Sequence, residues 1–99
     1  VIIVKEEVRE RDDKSLRKLF GTTHQIGEWE VKELLSENPE VIIIGTGQAG
    51  VLRVPEETRE ELERSKAEVK ILLTQRAVSE FNRLVSQGKR VNALIHTTC

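Results

Sequence analysis

The sequence predicts a mixed α/β domain whose sheet is parallel in part. Two observations carry that prediction. Val41-Ile42-Ile43-Ile44 is a run of β-branched apolar residues, which reads as a strand buried on both faces. After it, further apolar runs at 69–73 and 91–95 alternate with helical patterns, so successive strands must be joined by crossovers.

In chain order, Val1 to Val4 reads as a strand that the chain enters partway, so residues are expected to precede it. Lys5 to Arg11 has Val8 as its single apolar residue and reads as a charged edge strand or a solvated segment. The charges from Lys5 to Lys18 nearly cancel, so this stretch is read as surface rather than a binding tail. Residues 13–21 predict a helical turn capped by an Asp and stopped by Gly21, and a loop follows to Gln25.

Val31, Leu34 and Leu35 recur at helical spacing and predict a helix over 28–36, ended by Asn38-Pro39. Pro55 opens a second helix, with Glu56 and Glu57 in its first turn. Its thin apolar line, Thr58 and Leu62, places it at the surface. Thr74 is the expected N-cap of a helix over 75–87, whose face carries Ala77, Val78, Phe81, Leu84 and Val85. Gly88 stands where a left-handed residue ends such a helix, and Val91 to Ile95 is the last strand.

The turn after the central strand, Gly45-Thr46-Gly47-Gln48-Ala49-Gly50, fits the dinucleotide pattern G-x-G-x-x-G. That pattern works when a helix opens within it and turns its first amides toward a pyrophosphate. Here Val51 to Val54 reads as extended, and Pro55 starts the helix too late. Thr74 and Gln75 also stand where a ribose-binding acid belongs. A P-loop fails because Val51 and Leu52 follow Gly50 in place of Lys and Ser or Thr. The glycines read as a tight connection allowing close backbone approach, and the loop is also read as the wall of a small pocket.

Ninety-nine residues make one domain. Charged residues are 33% of the chain, both signs are interspersed, and the net charge is −1, so no basic field faces nucleic acid. Trp29, Phe20 and Phe81 are too few aromatics for a base-stacking platform. No apolar run approaches the roughly 20 residues of a membrane span. The single cysteine, Cys99, forms no disulfide within the chain, which fits a reducing, cytoplasmic compartment.

His24, His96 and Cys99 are the only imidazoles and the only thiol. Their spacing is not that of a metal site, so no metal is expected. A nucleophilic Cys99 would use His24 or His96 as base, with Asn82 or Gln48 beside it, but no local signature supports that arrangement. A third reading holds an anion or carbonyl ligand on the amides of Gly45 to Gly50, with His24, Thr46 and Gln48 as further donors.

Gly21-Thr22-Thr23-His24, the Ile-Ile-Ile-Gly-Thr-Gly strand and turn, Leu52-Arg53-Val54-Pro55-Glu56, Thr74 with Ala77, Phe81-Asn82, Gly88-Lys89-Arg90-Val91 and His96-Thr97-Thr98-Cys99 occur in one order. Together they resemble the small Mth-type domain, a family of unknown biochemical function. Its members include an adipogenesis-associated protein and a mitochondrial respiratory complex I assembly factor. The resemblance covers nearly the whole chain. It implies a single α+β domain with a central mixed β-sheet and helices packed on it in layers. It also implies an N-terminal strand pair that this chain lacks, and no established reaction or cofactor.

The expectation is therefore a non-enzymatic, assembly or adaptor domain that contacts another protein, without cofactor, nucleic acid or membrane, and with its oligomeric state open. The alternative is a small-ligand-binding protein or Cys/His-dependent enzyme. Its site would be built from His24, Gly45, Thr46, Gly47, Gln48, His96 and Cys99 near the Gly45–Gly50 loop.

Overall fold

The computed structural model describes residues 1–97, so Cys99 lies outside the described residues. The chain runs β1 (Ile2–Val4), β2 (Glu7–Arg9), α1 (Asp13–Phe20), α2 (Glu28–Leu35), β3 (Val41–Gly45), α3 (Glu56–Glu63), β4 (Glu68–Leu72), α4 (Thr74–Ser86) and β5 (Val91–Ile95). The five strands form one sheet in the order β2-β1-β5-β3-β4. β3 is parallel to both β4 and β5, whereas β1 is antiparallel to β5 and β2. The sheet is mixed and the domain is α+β.

Strand β3 is buried along its whole length, as four β-branched residues in a row require. Ile42 and Ile44 point to one face, where they pack with Val31 and Leu34 of α2, Leu62 of α3 and Leu52. Val41 and Ile43 point to the other, against Ala77 and Leu84 of α4. Burying each such side chain stabilises the fold by about 1.5–3 kcal/mol.

Two expectations need correction, the helical turn and the Thr74 cap. The charged edge strand expected after Val4 is present as β2, which ends the sheet and joins β1 in a hairpin: Val4 pairs with Glu7, and Lys5 and Glu6 take the left-handed conformation between them (φ 52° and 63°). No Asn-Gly or Asp-Gly marks this turn, which is why the sequence hides it. The helical turn is a full helix, α1, capped by Asp12 through the Ser15 amide and ended by Gly21. Thr74 is the first residue of α4, and Leu73 holds the N-cap position with no side-chain cap. The Thr74 hydroxyl is used elsewhere, as described below.

Pro55 immediately precedes α3, and Val51 to Val54 is not helical, so helical backbone begins well after Gly50. Leu52 is nevertheless buried, and its amide donates to the Thr46 carbonyl at 3.0 Å, which folds the extended segment back along the loop. Among the described residues no helix is long and apolar enough to cross a membrane.

Candidate functional site

β3 and β5 are parallel neighbours, so their carboxyl ends lie side by side, with Gly45 opposite Ile95. The chain leaves β3 for α3 and β4 on one side, then returns through α4 to β5 on the other. In open α/β sheets such a divergence is where ligands bind. The glycine loop, His96 and the first turn of α4 meet there.

Hydrogen bonds tie them together. The His96 amide donates to the Gly45 carbonyl at 2.9 Å. The Thr74 hydroxyl donates to the His96 carbonyl at 2.6 Å and accepts from the Gly47 amide at 2.8 Å. The Thr46 amide donates to the Leu72 carbonyl at 2.8 Å, and the Gly50 amide to the Gly47 carbonyl at 3.4 Å. A Cβ on Gly45 would meet Ala77 Cβ at 3.1 Å and Ile95 Cδ1 at 3.2 Å. That near-contact explains a residue without a side chain where β3 passes under α4.

His24 joins from the loop before α2. Its carbonyl accepts the Arg53 amide at 2.9 Å, and its ring meets the His96 ring edge to face at 5.1 Å. The structure thus brings together His24, Gly45, Thr46, Gly47 and His96. Gln48 lies exposed at the loop tip.

Behind the histidines is a charged pair, one member of which, Arg11, lies in the stretch read from the sequence as surface. Arg11 and Glu30 are buried together. Arg11 Nε donates to Glu30 Oε2 at 2.7 Å and Nη2 to Oε1 at 2.9 Å. Arg11 also donates to the carbonyls of Thr23 (3.0 Å) and Gln25 (2.7 Å). Glu30 Oε1 accepts the Gly27 amide at 2.9 Å, closing the first turn of α2. Gly27 three residues before a Glu was the available sequence signal for that carboxylate. Arg11 had none, because its neighbours in sequence are solvated charges.

Arg11 Nη1 also lies 3.4 Å from His96 Nδ1. A guanidinium only donates, so Nδ1 is the acceptor and the ring proton belongs on Nε2. Burial, and then the Arg11 charge, lowers the His96 pKa below the ordinary histidine value. The arrangement keeps a neutral imidazole inside. A recess of about 70 Å³ opens beside it, lined by Glu10, Arg11, Asp13, Arg17, Thr23 and Thr97 among others. That is well below the roughly 300 Å³ at which small-molecule pockets begin.

Fold and site together define a small α+β domain whose loops converge on a buried Arg–Glu pair at the carboxyl end of a mixed sheet. The chain belongs to the family described as protein of unknown function (DUF498/DUF598), which it matches over residues 1–96. It is similar to a conserved hypothetical protein, PH1505 from Pyrococcus horikoshii OT3, solved as a crystal structure. The two are 29% identical, with a TM-score of 0.82 over 99% of this chain and 81% of that one. It is also similar to a solved structure titled MT938, at 34% identity and a TM-score of 0.75, over 99% of this chain and 80% of that one.

Proposed function

We propose that this is a Mth-type domain that carries out no reaction of its own and acts, in the cytoplasm, as an assembly or adaptor module in contact with another protein. The contact surface is the free edge of β4. This strand ends the sheet. The Glu68 amide donates to the Glu40 carbonyl and the Leu72 carbonyl accepts the Thr46 amide, so the even-numbered residues of β4 bond toward β3. Val69 and Ile71 therefore turn their amides and carbonyls outward, where an extended segment of a partner can add a strand. That outward row carries the reading. It is supported by the loop, where the amides of Thr46, Gly47 and Gly50 are already taken by the protein's own oxygens.

Val69→Pro tests it. Proline removes an outward donor without touching the ladder to β3, so the fold is retained while partner capture is lost. Capture by the variant at the level of the unaltered protein, with circular dichroism unchanged, would overturn the assignment of this edge.

The facing His24 and His96 rings favour a second reading, a small ligand held beside the glycine loop. Imidazole resonances of both residues followed through titrations with small carboxylates and phosphate test it, and shifts confined to neither ring count against it.

A further inference from the structure

We infer that the occupant of the β4 edge is a second copy of this chain, paired antiparallel about a two-fold axis through Val69. This rests on the reading of β4 as the contact edge and names what fills it. Only residues whose amides and carbonyls point outward bond across the edge, so each odd-numbered residue of β4 must stand opposite an odd-numbered residue of the second copy. A pairing centred on Lys70 sets that lysine against its own copy, a like-charge contact. One centred on Ile71 sets Lys70 against apolar Leu72. Centred on Val69, the pairing puts Glu68 of each copy opposite Lys70 of the other, and Ala67 opposite Ile71.

Charge complementarity selects this last register, and both faces of the sheet agree with it. Glu68 and Lys70 become a non-hydrogen-bonded pair, the kind whose side chains approach most closely, and symmetry supplies it twice. They lie on the α4 side, where Lys70 Nζ already reaches Glu80 at 2.6 Å and Glu68 at 3.6 Å. A lone edge lysine repels an incoming strand, but this one is held within an acidic pair that the second copy extends. On the opposite face Val69 and Ile71, packed only partly against the Ile42–Ile44 cluster, gain apolar neighbours from the partner copy. A groove of about 770 Å³ between β4 and α4, lined by Gln75, Ser79 and Arg83 among others, lies beside the same Glu68 and Lys70 side chains.

The test is sedimentation equilibrium of the full chain in reducing buffer. Glu68→Lys and Lys70→Glu should each raise the dissociation constant of the dimer by about tenfold or more, since two attractive pairs become repulsive. An equimolar mixture of the two variants should recover the affinity of the unaltered protein, because each copy then presents the charge the other lacks. Amide hydrogen exchange on the unaltered protein gives a readout free of substitutions: Val69 and Ile71 should become protected as concentration rises. A chain that stays monomeric at millimolar concentration overturns the inference, as do a dimer indifferent to both reversals and concentration-independent exchange at those two amides. Loss of capture of another protein by Val69→Pro in a monomeric chain overturns self-pairing while leaving the contact-edge reading in place.

Discussion

Arg11 grips Glu30 with two hydrogen bonds, 2.7 and 2.9 Å long, inside the protein and between segments nineteen residues apart. The same guanidinium holds the carbonyls of Thr23 and Gln25, so one cation fastens the whole loop that carries His24. Removing one member of a buried pair strands the other's charge, at a cost of about 3–5 kcal/mol. Arg11→Met and Glu30→Met are each expected to destabilise by that amount in urea unfolding. The double variant should cost less than the sum of the two, because no buried charge is left. Strict additivity would show that the two side chains act independently.

His96 predicts a pH dependence. Its folded pKa is lowered, so between that value and the ordinary histidine value the unfolded chain binds more protons than the folded one. Stability then rises with pH through the window, is fully present above about 6.5, and is lost as pH falls toward the folded pKa. His96→Gln, which retains an acceptor for Arg11, should flatten this part of the stability profile. An unchanged slope between pH 5 and 7 would assign the effect to another group.

Thr74 is expected to matter for its hydroxyl rather than for helix capping. Thr74→Val keeps the shape but deprives the His96 carbonyl of its donor and the Gly47 amide of its acceptor. The cost should be about 2–4 kcal/mol, counting about 1–2 kcal/mol for each partner left unmatched, whereas Thr74→Ser should recover most of it. Equal melting temperatures for the Val and Ser variants would refute the bridge.

Two glycines separate backbone strain from crowding. Gly88 has φ +80° and nothing within 4 Å of an added Cβ, so Gly88→Ala should cost about 1 kcal/mol through conformation alone. At Gly45 the cost of an alanine comes from Ala77 and Ile95, about 1–3 kcal/mol. Combining Gly45→Ala with Ala77→Gly should cost less than the two changes separately. No such relief is expected when Ala77→Gly is combined with Gly88→Ala.

A charge titration between β4 and α4 is also expected. Arg83 and then Lys70 hold the Glu80 carboxyl down to about 2. Its contribution is present above the ordinary glutamate value and is lost as pH falls toward 2. Its partner Arg83 is half exposed, so salt should diminish the effect, and Glu80→Gln should remove it. Persistence of the acid-limb slope in that variant would place it elsewhere.

The sequence by itself determined what depends on near neighbours. Four β-branched residues in succession can bury both faces of a strand, so β3 and its burial between two neighbouring strands were legible from Val41 to Ile44. The Asp cap and Gly21 stop of α1, the left-handed Gly88, and the absence of helix directly after the glycine loop were legible for the same reason. Each is settled by dihedral preference or spacing within one or two turns. Only the tertiary structure decided what distant segments do to one another. Arg11 reads as surface because its sequence neighbours are solvated charges, yet the turn after β2 points it at a carboxylate on α2. Thr74 reads as a cap because nothing in the sequence shows that the Gly47 amide and the His96 carbonyl will stand on either side of it. Burial and pairing of a polar group are properties of the space around it, and that space is made by chain segments brought together in the fold.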